Sequence, residues 1–147
     1  MYQNIRGLKS KVDSLQELVD DCQPHLLCLV ETHMQEEEQI QIPGYETIYR
    51  NDNTNNSGGI IIAVHDTMKT ISMEVKQKSE VGQTLWIMLD NKKRKIKVGV
   101  IYAPQEGVTP NKELKKLYTS ITEEIIKAKE EEDQQTIIIG DFNAKIG

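Results

Sequence analysis

Short, unbroken apolar runs constrain this chain more than any other feature. His25-Leu-Leu-Cys-Leu-Val30 and Thr136-Ile-Ile-Ile139 are apolar at nearly every position and then stop abruptly, on Glu31 and on Gly140-Asp141. Runs of this kind are too short for a core helix and read as buried strands, His25–Val30 as one covered on both faces. Ile60–Val64 reads as a further apolar strand. Strands covered on both faces need packing layers above and below them. The chain is therefore expected to build an α/β layered fold, either one mixed sheet or two stacked sheets, with helices outside.

The helices and the remaining strands fill in that frame. Ser10 to Cys22 places Val12, Leu15, Leu18 and Val19 at helical spacing among polar residues, and Pro24 closes the segment. Met34 to Pro43, with the acidic run Glu36–Glu38, reads as a surface loop, and Gly44 to Arg50 alternates as a strand does. Asn51 to Gly59 is a polar turn segment. Thr70 to Val75, Leu85 to Leu89 and Ile96 to Tyr102 supply further strands, the last two joined by the hairpin-like Asp90-Asn91-Lys92-Lys93. Pro110 to Glu132 is the longest helical stretch, with Leu114, Leu117, Tyr118, Ile121, Ile125 and Ile126 on one face. Glu130 to Asp133 reads as a solvated helix end.

Bulk properties fit one globular domain. The 147 residues match the common domain size of about 100–150. With 37% hydrophobic and 28% charged residues there is enough apolar side chain to offset the entropy of ordering. A net charge of −5 disfavours a protein that simply coats nucleic acid, although Lys92-Lys93-Arg94-Lys95 groups basic charge locally. It is compatible with a nuclease, whose centre is itself acidic. Cys22 and Cys28 lack metal-site spacing and read as reduced thiols. No signal peptide is visible and no apolar run is long enough to span a membrane, so an intracellular setting is expected, nuclear if the substrate is DNA.

Four polar residues share one setting. Glu31 follows one buried strand, Asp141 and Asn143 follow another, and Tyr102 ends a third. Singly, each has an ordinary structural explanation: a solvated strand end, a turn aspartate, a half-buried tyrosine. Together they suit phosphodiester hydrolysis, which needs a cation, a group to activate water, and donors for the nonbridging oxygens. Glu31 can bind a hard cation through oxygen, Asp141 can orient or deprotonate water, and Asn143 and Tyr102 can donate to phosphate.

At these residues the chain resembles the endonuclease/exonuclease/phosphatase superfamily, which includes apurinic/apyrimidinic repair endonucleases. Within it, the likeness is to the endonuclease domain of non-LTR (LINE-type) retrotransposon polyproteins. The matching blocks are Asn4-Ile5-Arg6-Gly7-Leu8, Leu29-Val30-Glu31-Thr32-His33, Ser57-Gly58-Gly59, Ile101-Tyr102-Ala103-Pro104 and Gly140-Asp141-Phe142-Asn143-Ala144, in family order across the chain. The resemblance implies a four-layer α/β sandwich, two mixed sheets flanked by helices. It also implies an Mg2+-dependent nick in double-stranded DNA (Mn2+ being the alternative ion) that leaves a 3′ hydroxyl for target-primed reverse transcription. A reverse transcriptase domain in the same polyprotein is the implied partner. By match, Asn4 and Glu31 sit at the metal and phosphate, Tyr102 contacts the scissile phosphate, and Asp141 activates the nucleophilic water. Asn143 holds that phosphate or orients the base. Gly58 and Gly59 match a turn entering a strand and serve backbone conformation. His33 has no counterpart role in the family, and His25 and His65 read as structural or surface positions.

The family pattern also places a full strand before the Asn4 block and a Ser-Asp-His motif after the Asp141 block. Residues 1–147 hold neither, so the resemblance implies an endonuclease domain lacking its first strand and its C-terminal part. The expected consequences are weak or absent nicking by these residues alone and self-association through exposed sheet edges. Two other readings compete. One is a truncated or domesticated non-catalytic remnant acting as an interaction module. The other keeps the fold and changes the substrate to a phosphoinositide, sphingomyelin or poly(A).

Overall fold

The computed structural model describes residues 1–45, 47–51, 58–68, 75–78, 82–90, 95–104, 110–130 and 134–143. In chain order the elements are β1 (Tyr2–Asn4), a 3-10 turn (Lys9–Lys11), α1 (Val12–Cys22), β2 (Leu26–Val30), β3 (Thr47–Asn51) and β4 (Ile60–Val64). There follow β5 (Val75–Lys78), β6 (Gln83–Asp90), β7 (Lys95–Tyr102), α2 (Asn111–Lys129) and β8 (Gln134–Asp141). Two four-stranded mixed sheets result, ordered β1-β2-β4-β3 and β5-β6-β7-β8. In the first, β1 runs parallel to β2; in the second, β8 runs parallel to β7; the remaining pairs are antiparallel.

Side-chain alternation sorts the core into three seams. Cys28, Val30, Ile60, Ile62 and Val64 of the first sheet face Leu85, Ile87, Leu89, Val98 and Val100 of the second. The opposite face of the first sheet, with Leu27, Leu29, Ile61 and Ala63, meets Leu15 and Val19 of α1. The opposite face of the second, with Trp86 and Ile101, meets Leu117 and Ile121 of α2. The order is helix, sheet, sheet, helix, the layered sandwich that unbroken apolar strands require. Each fully buried large side chain in these seams is worth about 1.5–3 kcal/mol of burial.

Several local expectations change. Val12 is 45% exposed, and Leu8, at 1%, takes the place expected of it beside Leu15 and Val19. The residue at position 12 is the first of the helix. Gln23, in the left-handed conformation with its N–H on the Val19 carbonyl, ends α1 ahead of Pro24. Met34–Pro43 is not a plain surface loop: Met34 and Ile42 are buried and Ile40 packs behind them, covering sheet area that the 11-residue α1 leaves open. On α2, Tyr118 and Ile126 point to solvent, while Glu124 lies on the buried face at i+3 from Ile121. β8 was expected to be a buried strand. It is an edge strand among the described residues, with Ile138 and Ile139 packed against the core and Ile137 49% exposed.

Both cysteines are free, Cys22 exposed and Cys28 buried, where burial pushes its thiol up to about 12. No helix is long and apolar enough to cross a membrane among the described residues. Ser57, most of the Thr70–Val75 segment, the Asn91–Lys93 turn, Glu131–Asp133 and Ala144 lie outside the described residues.

Candidate active site

Strand direction brings the sequence blocks to one end of the sandwich. β1 and β2 are parallel, so Asn4 and Val30 are register partners and Glu31 emerges beside Asn4. β7 and β8 are parallel too, and pair Tyr102 with Asp141. β4 runs the other way, so its starting end, preceded by Gly58-Gly59, lies at the same place. The ladder continues past the strands: Ile5, Gly7 and Leu8 donate to the carbonyls of Val30, Glu31 and Thr32 at 3.0, 2.8 and 2.9 Å. Thr32 and His33 in turn donate to Gly59 and Gly58, at 3.3 and 2.9 Å. On the second sheet, Ala103 donates to the Asp141 carbonyl at 2.8 Å.

Asn4 joins the two sheets chemically. Its Nδ2 donates to Glu31 Oε1 at 2.7 Å and to Asp141 Oδ2 at 2.9 Å, a contact across 137 positions of sequence. Carboxylates only accept, so they fix which end of the amide faces them. Asn4 Oδ1 is thereby left buried with no hydrogen-bond partner. Asp141 Oδ1 accepts the Asn143 backbone N–H at 3.1 Å. The Asn143 side chain donates to the Ala103 carbonyl at 2.8 Å, which ties it to the end of β7. One amide hydrogen and the Asn143 carbonyl remain for anything else.

Tyr102 completes the group. Its phenol is pushed up, by burial first and then by the charges of Glu31 and Asp141 and a hydrogen bond to Glu31. All five residues singled out in the sequence, Asn4, Glu31, Tyr102, Asp141 and Asn143, therefore lie together. Tyr2 was missed. Two residues before Asn4 on the same strand, it shares the inter-sheet face, and its phenol is pushed up to about 12 by burial and then by Asp141 and Glu31. The period of two along β1 was the signal that could have found it. Of the motif blocks, Ile5 and Leu8 serve the core, at 2% and 1% exposure.

The backbone is also unusual here. Arg6, Glu31, His33 and Asn143 hold positive φ of 47°, 54°, 53° and 44° without being glycine. Such conformations cost of order 1–3 kcal/mol each and persist where the surroundings over-determine them, as at functional sites.

The electrostatics are lopsided. Among the described residues, neither Glu31 nor Asp141 pairs with a lysine, arginine or histidine. No cluster of three or more His, Cys, Asp and Glu forms a metal cage among them either. The donor set is two carboxylates and one orphaned amide oxygen, all hard oxygens, which fits a Mg2+-type ion that keeps several waters.

Residues 1–145 match the Endonuclease/Exonuclease/phosphatase family. The chain belongs to that family. Among solved structures, it is similar to TDP2 from C. elegans, at 14% identity and a TM-score of 0.75, covering 98% of this chain and 47% of that one. D. rerio TDP2 complexed with single strand DNA product matches at 16% identity and 0.70, covering 98% and 60%. The 3′ phosphatase NExo from Neisseria bound to product DNA hairpin matches at 15% and 0.64, covering 97% and 56%. This family member thus spans about half the length of the solved structures it resembles, and at these identities the likeness concerns the fold.

Proposed function

We propose that this chain carries the divalent-cation centre of a phosphodiesterase that nicks DNA, in the manner of a LINE-type retrotransposon endonuclease domain. The observation that carries the reading is Asn4 donating to both Glu31 and Asp141 while its own Oδ1 stays buried and unpartnered. An amide spent on two carboxylates, with no cationic side chain among the described residues to balance them, suits a site completed by an external ion. Glu31 and the Asn4 carbonyl would hold Mg2+ or Mn2+, which neutralises negative charge on the phosphodiester when bound.

The chain's own residues do the rest. Asp141, oriented by Asn4 and by the Asn143 N–H, accepts a proton from the attacking water as the P–O3′ bond breaks, and the departing oxygen takes a proton from solvent to become the 3′ hydroxyl. Tyr102, its phenol held protonated, donates to a nonbridging oxygen. Asn143, tied to Ala103, keeps one amide hydrogen for the same phosphate. DNA as substrate is supported by the NExo and D. rerio TDP2 structures, which hold DNA products. The retrotransposon reading rests on the Asn4–Leu8 and Ile101–Pro104 blocks. Because these residues span half the length of the solved relatives, the rate expected from them alone is low, and reverse transcriptase is proposed as the partner of a longer polyprotein.

The test is nicking of supercoiled plasmid with and without Mg2+, for the wild type, Asp141→Ala and Glu31→Gln. Nicking that needs the ion and is lost in both variants supports the reading. Nicking indifferent to both substitutions would sink it. A wild type that binds neither Mn2+ nor DNA favours the non-catalytic interaction module.

A further inference from the structure

We infer that Gln83 is a positioning residue for the Glu31 centre, setting the turn that holds Glu31 and the strand end that carries Tyr102. This rests on the site reading given above, since it concerns how that site is held. Gln83 opens β6 and is 3% exposed, and its amide bridges the two sheets. Its Oε1 accepts the Gly59 N–H at 2.5 Å, and its Nε2 donates to the Asn51 carbonyl at 3.2 Å. Asn51 answers from β3, with Nδ2 donating to the Thr84 carbonyl at 2.8 Å.

The consequence travels in two directions. Gly59 and Gly58 present their carbonyls to Thr32 and His33, so the glycine turn fixes the two residues after Glu31. Gln83 is also the register partner of Tyr102, the residue whose phenol lies close enough to feel the charge of Glu31. Gln83 thus stands behind both the turn after Glu31 and the strand end that carries Tyr102. The space is fully used: a Cβ at Gly58 would lie 2.5 Å from Gln83 Oε1 and 3.4 Å from Tyr102 Cε1, at a φ of 68° that already favours glycine. A buried amide that is satisfied at both ends holds its neighbours in one arrangement, and groups of this kind behind a metal centre typically govern about 10–100-fold in affinity or rate.

The experiment uses the 147-residue chain, 15N-labelled, with Gln83→Met as the main variant, close in shape and lacking both hydrogen bonds. The expected result is a folded protein in which the Thr32 and His33 amide signals and the Tyr102 ring signals move. Mn2+ affinity falls about 10-fold or more, and nicking per folded molecule falls with it while DNA affinity stays within about two-fold. Gln83→Glu keeps an acceptor for Gly59 and, measured at acidic pH where its buried carboxyl is protonated, a donor for the Asn51 carbonyl, and recovers most of the loss. A folded Q83M with wild-type signals at Thr32, His33 and Tyr102 overturns the inference. If Q83M does not fold, Q83E decides: displaced Thr32 and His33 signals overturn it, and retained ones support it. If the wild type neither nicks DNA nor binds Mn2+, the site reading falls, and the Thr32 and His33 signals still decide the role of Gln83.

Discussion

Two regions of this molecule hold carboxylates against a sheet, and they treat the charge in opposite ways. Between α2 and the second sheet, Glu124 is 5% exposed and meets Lys97 Nζ at 2.7 Å and Lys127 Nζ at 3.0 Å. Lys97 itself is 4% exposed and lies 5.3 Å from the Trp86 ring centroid. Burial works against the Glu124 charge, but hydrogen bonds from Lys97 and Lys127 outweigh it and hold the carboxyl below the ordinary glutamate range. At the strand ends, Glu31 and Asp141 share a single neutral amide and no cation among the described residues. The first arrangement is closed and pins a helix. The second is left short of positive charge, which wastes stability unless something else supplies it.

Four measurements test that contrast, beginning with the largest effect. Lys97→Ala leaves the buried Glu124 with only the exposed Lys127 as partner and is expected to cost about 3 kcal/mol in urea unfolding, whereas the double change Lys97→Met with Glu124→Leu is expected to be near neutral. A mild Lys97→Ala phenotype would make the two regions alike. Asp141→Ala is expected to lower Mg2+-dependent nicking about 10²–10³-fold, equivalent to about 3–4 kcal/mol, with thermal stability retained. Glu31→Gln removes one of two carboxylates sharing an amide. It is expected to stabilise the ion-free protein by about 1 kcal/mol and to abolish the stabilisation Mg2+ gives the wild type, both read from thermal unfolding. The smallest effect is in pH. With its folded pKa depressed from 4.5, Glu124 contributes stability that is present above the unfolded value and is lost as pH falls through the folded one. Acid unfolding followed below pH 4.5 should therefore be shallower in the Met/Leu double variant than in the wild type.

Much of this was legible before any coordinates. The runs Leu26–Val30 and Ile60–Val64 had to be strands, because each is apolar throughout and too short to be a helix that pays its own nucleation. Four of the five candidate residues, Glu31, Tyr102, Asp141 and Asn143, were identifiable because the chain breaks buried strands on polar groups and strand ends open onto a common surface, whereas Asn4 came only from the family resemblance. What local pattern could not show was how many faces of each strand are covered. Thr136–Ile139 reads like Leu26–Val30, yet Ile137 is 49% exposed while Leu27, Leu29 and Val30 are fully buried. Hydropathy records the wish for cover, and only packing supplies it.

By itself, the sequence determined the layered α/β class, most of its strands and the acidic character of the site, since these follow from periodicity and residue chemistry within a few neighbours. Tertiary structure alone decided that Asn4 meets Asp141 across 137 positions, that Glu124 turns inward to Lys97, and that Gln83 reaches Gly59 from the other sheet. Those contacts depend on strand register and on which sheet face meets which, and no window of neighbouring residues encodes either.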